Sequence, residues 1–277
     1  MELKRVIYVT SEIGEFLEQL NKQLEVIPVS SCEELERLLG NSSQENLGKS
    51  LLLVGSKESL KIGQSKGIAL LGIGDISGVA YLIQDVGTME ASYLDRVYRR
   101  FHHLPWEIAQ TKRCTLREMT MEDLPELFAL YEDPEVTRYM EGVLPYEEEV
   151  AKQEAYIANR YPFYEYGLWM VCDKDTGEVI GRAGLEDRDL GEETVVELGY
   201  LIRPDYQGQG YAKEVCQAIL DYAWEGLGFE EVNCFIEEGN LPSVALAKSL
   251  GFTYVCAYME GNRKILRFVQ KSNIINH

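Results

Sequence analysis

Three stretches of the chain have the glycines that a phosphate-holding loop needs. Glycine lets the backbone take positive φ and lets a ligand reach N–H groups that a Cβ would cover. Gly48-Lys49-Ser50 ends like a nucleoside-triphosphate loop, but such a loop needs a glycine five residues earlier, where Ser43 stands. It must also open a helix, and a strand-like run follows instead. Gly72 to Gly78, GIGDISG, follows a strand-like run, but VAYLIQD after it reads as another strand. A dinucleotide loop needs a helix there, because the helix start holds the pyrophosphate. The third stretch is Gln207-Gly208-Gln209-Gly210-Tyr211-Ala212, between the strand-like VVELGYLI and the helix-like EVCQAILDYAWEGL. The first turn of a helix has N–H groups without internal partners, at the positive end of the helix dipole. Pro204 ends the strand by removing a ladder donor. On these residues alone, a phosphate cradle and a plain β–α turn fit equally well.

Other chemistries find less support. The histidines are His102, His103 and His277, too few and too separated for a histidine-rich metal site. The His102-His103 pair reads as a solvated helix end. The six cysteines, Cys32, Cys114, Cys172, Cys216, Cys234 and Cys256, form no Cys-x-x-Cys pair, which argues against zinc and against a disulfide framework. No metal is expected.

Charge narrows the partners. The net charge is −19. Residues 1–111 carry 11 basic and 15 acidic side chains, and residues 112–277 carry 16 and 31. Such a second half repels nucleic acid and anionic membrane and favours cationic partners such as amines. No apolar run reaches the ~18 residues of a membrane span. MELKRVIYVTSEIGEF lacks the character of a signal peptide, so a cytoplasmic protein is expected.

The elements that must position the loop change in rhythm along the chain. Its 277 residues favour two domains. In the first part, the strand-like RVIYVT, EVIPVS, SLLLVG and GIALLGI alternate with helix-like SEIGEFLEQLNKQL, SCEELERLLG and SKESLKIGQSK, and SYLDRVYRRFHHL reads as a last helix. SCEELERLLG opens with the capping box Ser31-x-x-Glu34 and closes at Gly40. Short apolar strands between helices predict a small doubly wound parallel α/β domain, residues 1–108. The boundary falls in LPWEIAQTKR. Residues 109–277 read differently. CTLREM is a strand, Thr120-x-x-Asp123 caps a helix, and DPEVTRYMEG and PYEEEVAKQEAYIANRYPFY look helical. GLWMVCDK, EVIGRAGLEDRD and TVVELGYLI are successive strands, the first two joined at Asp175-Thr176-Gly177. After the glycine loop and its helix come the strand FEEVNCFIEE, the helix LPSVALAKSLGF, and a hairpin over Gly261-Asn262. Bunched strands interrupted by helices predict a mixed-sheet α+β domain.

Read whole, Gln207-x-x-Gly210-x-Ala212 between ELGYLIRPDY and EVCQAIL resembles the acetyl-CoA loop of the GNAT acetyltransferase superfamily, R/Q-x-x-G-x-G/A. Asn240-x-x-Ser243 followed by Leu250-Gly251-Phe252 resembles that family's N-x-x-S/A … LGF helix. TLREMTMEDLPELFALYEDPEVTRYM resembles the start of the branch that acetylates ribosomal-protein N-termini. The resemblance spans residues 112–271.

It implies a fold and a set of roles. The strand before the loop splays from its neighbour, and Leu201 and Ile202 match positions whose backbone pairs with the pantetheine arm, one N–H there polarising the thioester carbonyl. Gln207, Gly208, Gln209, Gly210, Tyr211, Ala212 and Lys213 match the pyrophosphate loop. Asn240 and Ser243 match residues near the thiol end. The implied reaction is direct attack by an amine on acetyl-CoA, which needs a proton acceptor. Glu197 is the candidate base, because apolar neighbours Val195, Val196 and Leu198 would raise its pKa; an ordinary solvent-facing carboxylate is the other reading. The chain departs from the family at two places: Ala247 stands where many relatives have the tyrosine acid, and Phe235 where some have a glutamate base. Ser243 or one of the 17 tyrosines is left as acid. Trp169 and the tyrosines of YIANRYPFYEYGLW either wall the acceptor site or pack the core.

The first domain resembles, more weakly, a shrunken HAD-type Rossmann-like unit at LLLVGSKESLKIGQSKGIALLG. It lacks that family's acceptor aspartate after RVIYVT and has Gly55-Ser56 where Gly-Asp would bind magnesium, which implies a non-catalytic accessory domain. The function expected is an acetyl-CoA-dependent N-acetyltransferase acting on a primary amine. An acyl-CoA-binding sensor without turnover is the alternative, and a phosphate-binding protein led by the first domain comes third. The residues do not disclose the acceptor or the oligomeric state.

Overall fold

A computed structural model describes residues 2–9, 24–84, 89, 91–140, 142 and 144–272. The chain divides into two compact units, Met1–Trp106 and Glu107–His277.

The first unit contains β1 (Arg5–Val9), β2 (Glu25–Val29), α1 (Cys32–Asn41), α2 (Gln44–Leu47), β3 (Ser50–Val54), α3 (Lys57–Lys66), β4 (Ala69–Ile73), β5 (Leu82–Ile83) and α4 (Ala91–Phe101). Its strands form one sheet in the order β2-β1-β3-β4-β5, every neighbouring pair parallel. Every residue of β3 is buried because both faces of the sheet are covered. Leu51 and Leu53 pack with Leu94, Val97 and Tyr98 of α4, whereas Leu52 and Val54 pack with Leu35, Leu39 and Leu60 of α1 and α3.

Several local expectations are corrected. Ser31 does accept the Glu34 N–H, but the Glu34 carboxylate turns to the backbone and hydroxyl of Ser30, so only half of the capping box forms. The helix runs through Gly40 to Asn41. Of VAYLIQD, only Leu82–Ile83 joins the sheet. SEIGEFLEQLNKQL lies outside the described residues, apart from Leu24. His102 is not a solvated end: it packs against the rings of Tyr98 and Phe101, and burial lowers its pKa. No Gly-x-Ser-x-Gly elbow is expected; that spelling does occur at Gly63 to Gly67, but it closes α3 and leads into β4, so no strand turns into a helix there.

The second unit begins with β6 (Glu107–Gln110), inside the stretch where the boundary is expected, followed by β7 (Cys114–Arg117), a 3-10 turn, α5 (Leu124–Glu132), α6 (Pro134–Thr137) and α7 (Tyr146–Tyr164). Then come β8 (Leu168–Asp173), β9 (Val179–Asp189), β10 (Thr194–Ile202), α8 (Tyr211–Asp221), β11 (Glu231–Glu237), α9 (Leu241–Ser249), β12 (Thr253–Glu260) and β13 (Arg263–Lys271). The sheet order is β12-β13-β11-β10-β9-β8-β7-β6. Among the described residues of this sheet only β10 and β11 pair in parallel, and the other neighbouring pairs are antiparallel. The Asp173 carboxylate accepts the N–H groups of Asp175 and Thr176, and Gly177 at φ 75° completes the turn from β8 to β9. Among its described residues, the region read as helical at DPEVTRYMEG contains only the four residues of α6. Among the described residues no helix is long and apolar enough to cross a membrane.

Candidate functional site

A parallel pair that separates leaves backbone groups without ladder partners, and β10 and β11 separate almost at once. Their single register pair is Glu197–Asn233. Asn233 Nδ2 donates to Val196 O at 3.4 Å, and Cys234 Sγ lies 3.9 Å from Leu198 O. Beyond them, no further β10–β11 pair occurs among the described residues, while β10 stays paired with β9 as far as Ile202–Gly181. A Cβ on Gly181 would stand 2.4 Å from Leu201 O, so glycine is what lets β9 lie this close. Leu201 and Ile202 therefore sit on a strand held firmly on one edge and open on the other.

Past Ile202 the chain makes one 3-10 turn, Pro204–Tyr206, and enters the loop. The side-chain amides of Gln207 and Gln209 donate to Ile202 O at 2.8 Å and to Asp205 O at 2.7 Å. Gly208 and Gly210 have φ of 69° and 84°. An added Cβ at Gly208 meets nothing within 4 Å, so the requirement there is conformational and the space above it is open. Gly210 is the N-cap of α8, and no side chain caps the helix. Lys213 is exposed in the first turn.

Arg113 and Glu214, which the sequence reading does not single out, brace this loop. The Arg113 guanidinium donates to Gln209 O at 3.1 Å and to Glu214 Oε2 at 2.8 Å, and lies 3.8 Å from the centre of the Tyr211 ring. Glu214 Oε1 accepts from Thr111 Oγ1 at 2.6 Å and from the Arg113 N–H at 2.7 Å. Burial alone would raise the Glu214 pKa. The hydrogen bonds from Thr111 and Arg113 outweigh it and hold the carboxyl below its usual range. A separation of 101 residues leaves no local signal for this pair.

On the other side of the strand divergence, Asn240 caps α9 by accepting the Ser243 N–H at 3.2 Å. The Tyr200 hydroxyl donates to Ser243 Oγ at 2.8 Å. Burial raises the Tyr200 pKa. Ala247 is buried in the core. Tyr200 also escapes sequence reading, because its partner is 43 residues away.

Glu197 stands apart. Residues 197 and 200 project from opposite faces of a strand, so Glu197 and the Tyr200–Ser243 pair are not brought together. Its Oε2 pairs with Arg188 Nη1 at 3.2 Å, and Arg188 Nη2 pairs with Glu260 at 2.7 Å. Burial disfavours the Arg188 charge, but Glu197 and Glu260 more than compensate and hold its pKa above the usual range. Phe235 lies under Arg188, 4.4 Å from ring centre to guanidinium. Glu197 is neither the solvent-facing carboxylate nor the lone carboxylate among apolar groups that the sequence allowed.

The aromatics divide too. Trp169 and Tyr161 are buried, and the Tyr161 hydroxyl donates to Leu168 O and accepts the Met119 N–H. These pack the core. Phe163, at 78% exposure, faces solvent.

Residues 113–253 match the family model described as Acetyltransferase (GNAT) domain. The uncharacterized N-acetyltransferase p20 of Bacillus licheniformis is 32% identical over 150 residues, 53% of this chain and 82% of that protein. The spermidine N(1)-acetyltransferase of Escherichia coli K12 is 26% identical over 138 residues, 50% and 72% of the two chains. Among solved structures, RimL, a ribosomal L7/L12 alpha-N-protein acetyltransferase in complex with coenzyme A, matches 60% of this chain and 98% of its own, with a TM-score of 0.52 at 16% identity. That last likeness is one of fold.

Proposed function

The chain belongs to the GNAT acetyltransferase family, and from that premise we propose that it moves the acetyl group of acetyl-CoA directly onto a primary amine of a small molecule or a protein N-terminus. The observation that carries this reading is a juxtaposition along one strand. β10 opens away from β11 after Glu197, then runs into two glycines at positive φ and an uncapped helix start. The open edge at Leu201 and Ile202 offers backbone groups to the pantetheine arm. Gly208 to Lys213 offer N–H groups and one cation to the pyrophosphate. Asn240 fixes the first turn of α9, where Ser243 serves the thiol end. Both glycines leave the room that such a ligand needs: nothing lies within 4 Å of a Cβ at Gly208, and only the Arg113 side chain, at 3.6 Å, does at Gly210.

The amine must lose a proton to attack. Glu197, held in place by its ion pair with Arg188, enters as the acceptor. The acidic balance of residues 112–277 favours a cationic acceptor, such as the polyamine named for the E. coli relative. The Met1–Trp106 unit enters as a non-catalytic accessory domain. The paired state of Glu197 and the apolar Ala247 favour a second reading, an acyl-CoA sensor without turnover.

Incubation with acetyl-CoA and a panel of polyamines, aminoglycosides, amino acids and peptides, followed by assay of free CoA thiol, separates the readings. Amine-dependent release, largest for the most cationic amines, is expected. Tight acetyl-CoA binding without release across the panel would favour the sensor, and absence of acetyl-CoA binding would sink both.

A further inference from the structure

The hydrogen bond between Tyr200 and Ser243 joins β10 to the first turn of α9, elements that lie on the two sides of the strand divergence. Its direction matters: the phenol donates and Ser243 Oγ accepts. A serine hydroxyl has one proton and two lone pairs. With one lone pair engaged by Tyr200, the Ser243 proton must point away from Tyr200, and it meets no acceptor among the described residues. Burial keeps the phenol protonated, so its O–H is available to donate to Ser243.

The chemistry of the proposed reaction gives that free proton a use. As the amine nitrogen bonds to the acetyl carbon, the C–S bond breaks and its electron pair stays on sulfur. The proton lost by the amine passes to the acceptor Glu197 and from there to solvent. A phenol is a weaker acid than a thiol, near 10 against about 8.5, and an alkyl hydroxyl is weaker still. Neither hydroxyl gives its proton up to a thiolate. What they can supply is a hydrogen bond to the developing negative charge, beside the positive end of α9.

We propose that Tyr200 is a positioning residue for the leaving group: by donating to Ser243 Oγ it aims the Ser243 hydroxyl into the gap between β10 and β11, where that hydroxyl donates to the departing sulfur of coenzyme A. The inference rests on the acetyl-CoA reading above, and its test needs no acceptor amine. Free coenzyme A is bound to the full chain and its thiol is titrated by the ultraviolet absorbance of the thiolate. A charge-assisted hydrogen bond lowers the bound thiol's pKa by about one unit, about a tenfold gain in thiolate near the midpoint. In Tyr200→Phe most of that gain is lost, in Ser243→Ala all of it, and the double variant matches Ser243→Ala alone. A merely structural role for Tyr200 would alter melting temperature and leave the thiol titration at its wild-type position, which overturns the proposal. Effects of the two substitutions that add also overturn it. Should Tyr200→Phe not fold, an unshifted thiol in Ser243→Ala does the same. Coenzyme A that binds the wild type with an ordinary thiol pKa defeats this inference alone; coenzyme A that does not bind defeats the acetyl-CoA reading with it.

Discussion

Two loops in this protein leave a strand and carry two glycines at positive φ: Gly74 and Gly78 at 72° and 89°, and Gly208 and Gly210 at 69° and 84°. Their spellings, GIGDISG and GQGYA, invite the same interpretation, and their donors meet opposite fates. After Gly72 the chain folds back beside β4, so the N–H groups of Gly72 and Gly74 are taken by Tyr81 O and Ile83 O. The space over Gly72 is filled by the side chains of Val79, Ile76 and Leu82, all within 3 Å of an added Cβ. After Gly210 the chain instead becomes an 11-residue helix whose first turn no side chain caps. Positive φ at glycine allows a tight turn in both places. A ligand loop is distinguished by the element downstream of it, since a returning strand consumes donors and an uncapped helix presents them.

Matched substitutions break or sharpen this contrast, and the largest effect is expected from Gly210→Glu. It places bulk and negative charge where a pyrophosphate would lie. Coenzyme A affinity should fall at least about a hundredfold by calorimetry, on the scale of a repelled and sterically excluded anion. Both Gly210→Glu and Gly74→Glu put a side chain at positive φ, at a cost of about 1–2 kcal/mol each, so their melting temperatures should fall together. Gly74→Glu should leave coenzyme A affinity at the wild-type value. Equal loss of affinity in both variants, or in neither, would end the distinction between the loops.

The contrast was readable because the deciding residues lie only a few positions downstream of each loop. The parallel sheet was legible for a similar reason: Leu51 to Val54 form an unbroken apolar run, which a strand covered on both faces requires. Elements too short to show a period were not. β6 has four residues and α2 four, and the first fell inside the stretch read as the domain boundary. Partner choice was also beyond local reading. Glu34 stands at the capping-box spacing from Ser31 and binds Ser30; Glu197 has apolar neighbours in sequence and a guanidinium in space. The hydrogen bonds that organise the candidate site span 101 and 43 residues, and no spacing rule reaches that far.

A smaller effect is expected at the brace that the GQGYA loop has among its contacts, Arg113. Its guanidinium fixes Gln209 O and Glu214 and covers the face of Tyr211. Arg113→Ala should weaken coenzyme A binding about tenfold, through disorder of the loop more than through lost charge, and destabilise the fold by about 1 kcal/mol, as expected of a part-exposed pair. Arg113→Lys keeps the charge and loses the planar fork and the stacking. Affinity restored by lysine would mean that charge alone matters and that the loop needs no brace.

The smallest effect tests the same brace by pH. The Glu214 pKa lies lower in the folded chain than in the unfolded one, where a glutamate titrates near 4.3. A carboxyl of depressed pKa binds fewer protons folded than unfolded, so its stabilisation is complete above the unfolded value and fades as pH falls through the folded one. Thermal melts of the wild type should therefore lose stability below about pH 4.3 in part through this group. Glu214→Gln has no proton to take up, so its melting temperature should start lower at neutral pH and fall less steeply in acid, with the two curves converging. Parallel curves would mean that Glu214 carries the same charge free energy folded and unfolded, and that the hydrogen bonds from Thr111 and Arg113 do no more than offset its burial.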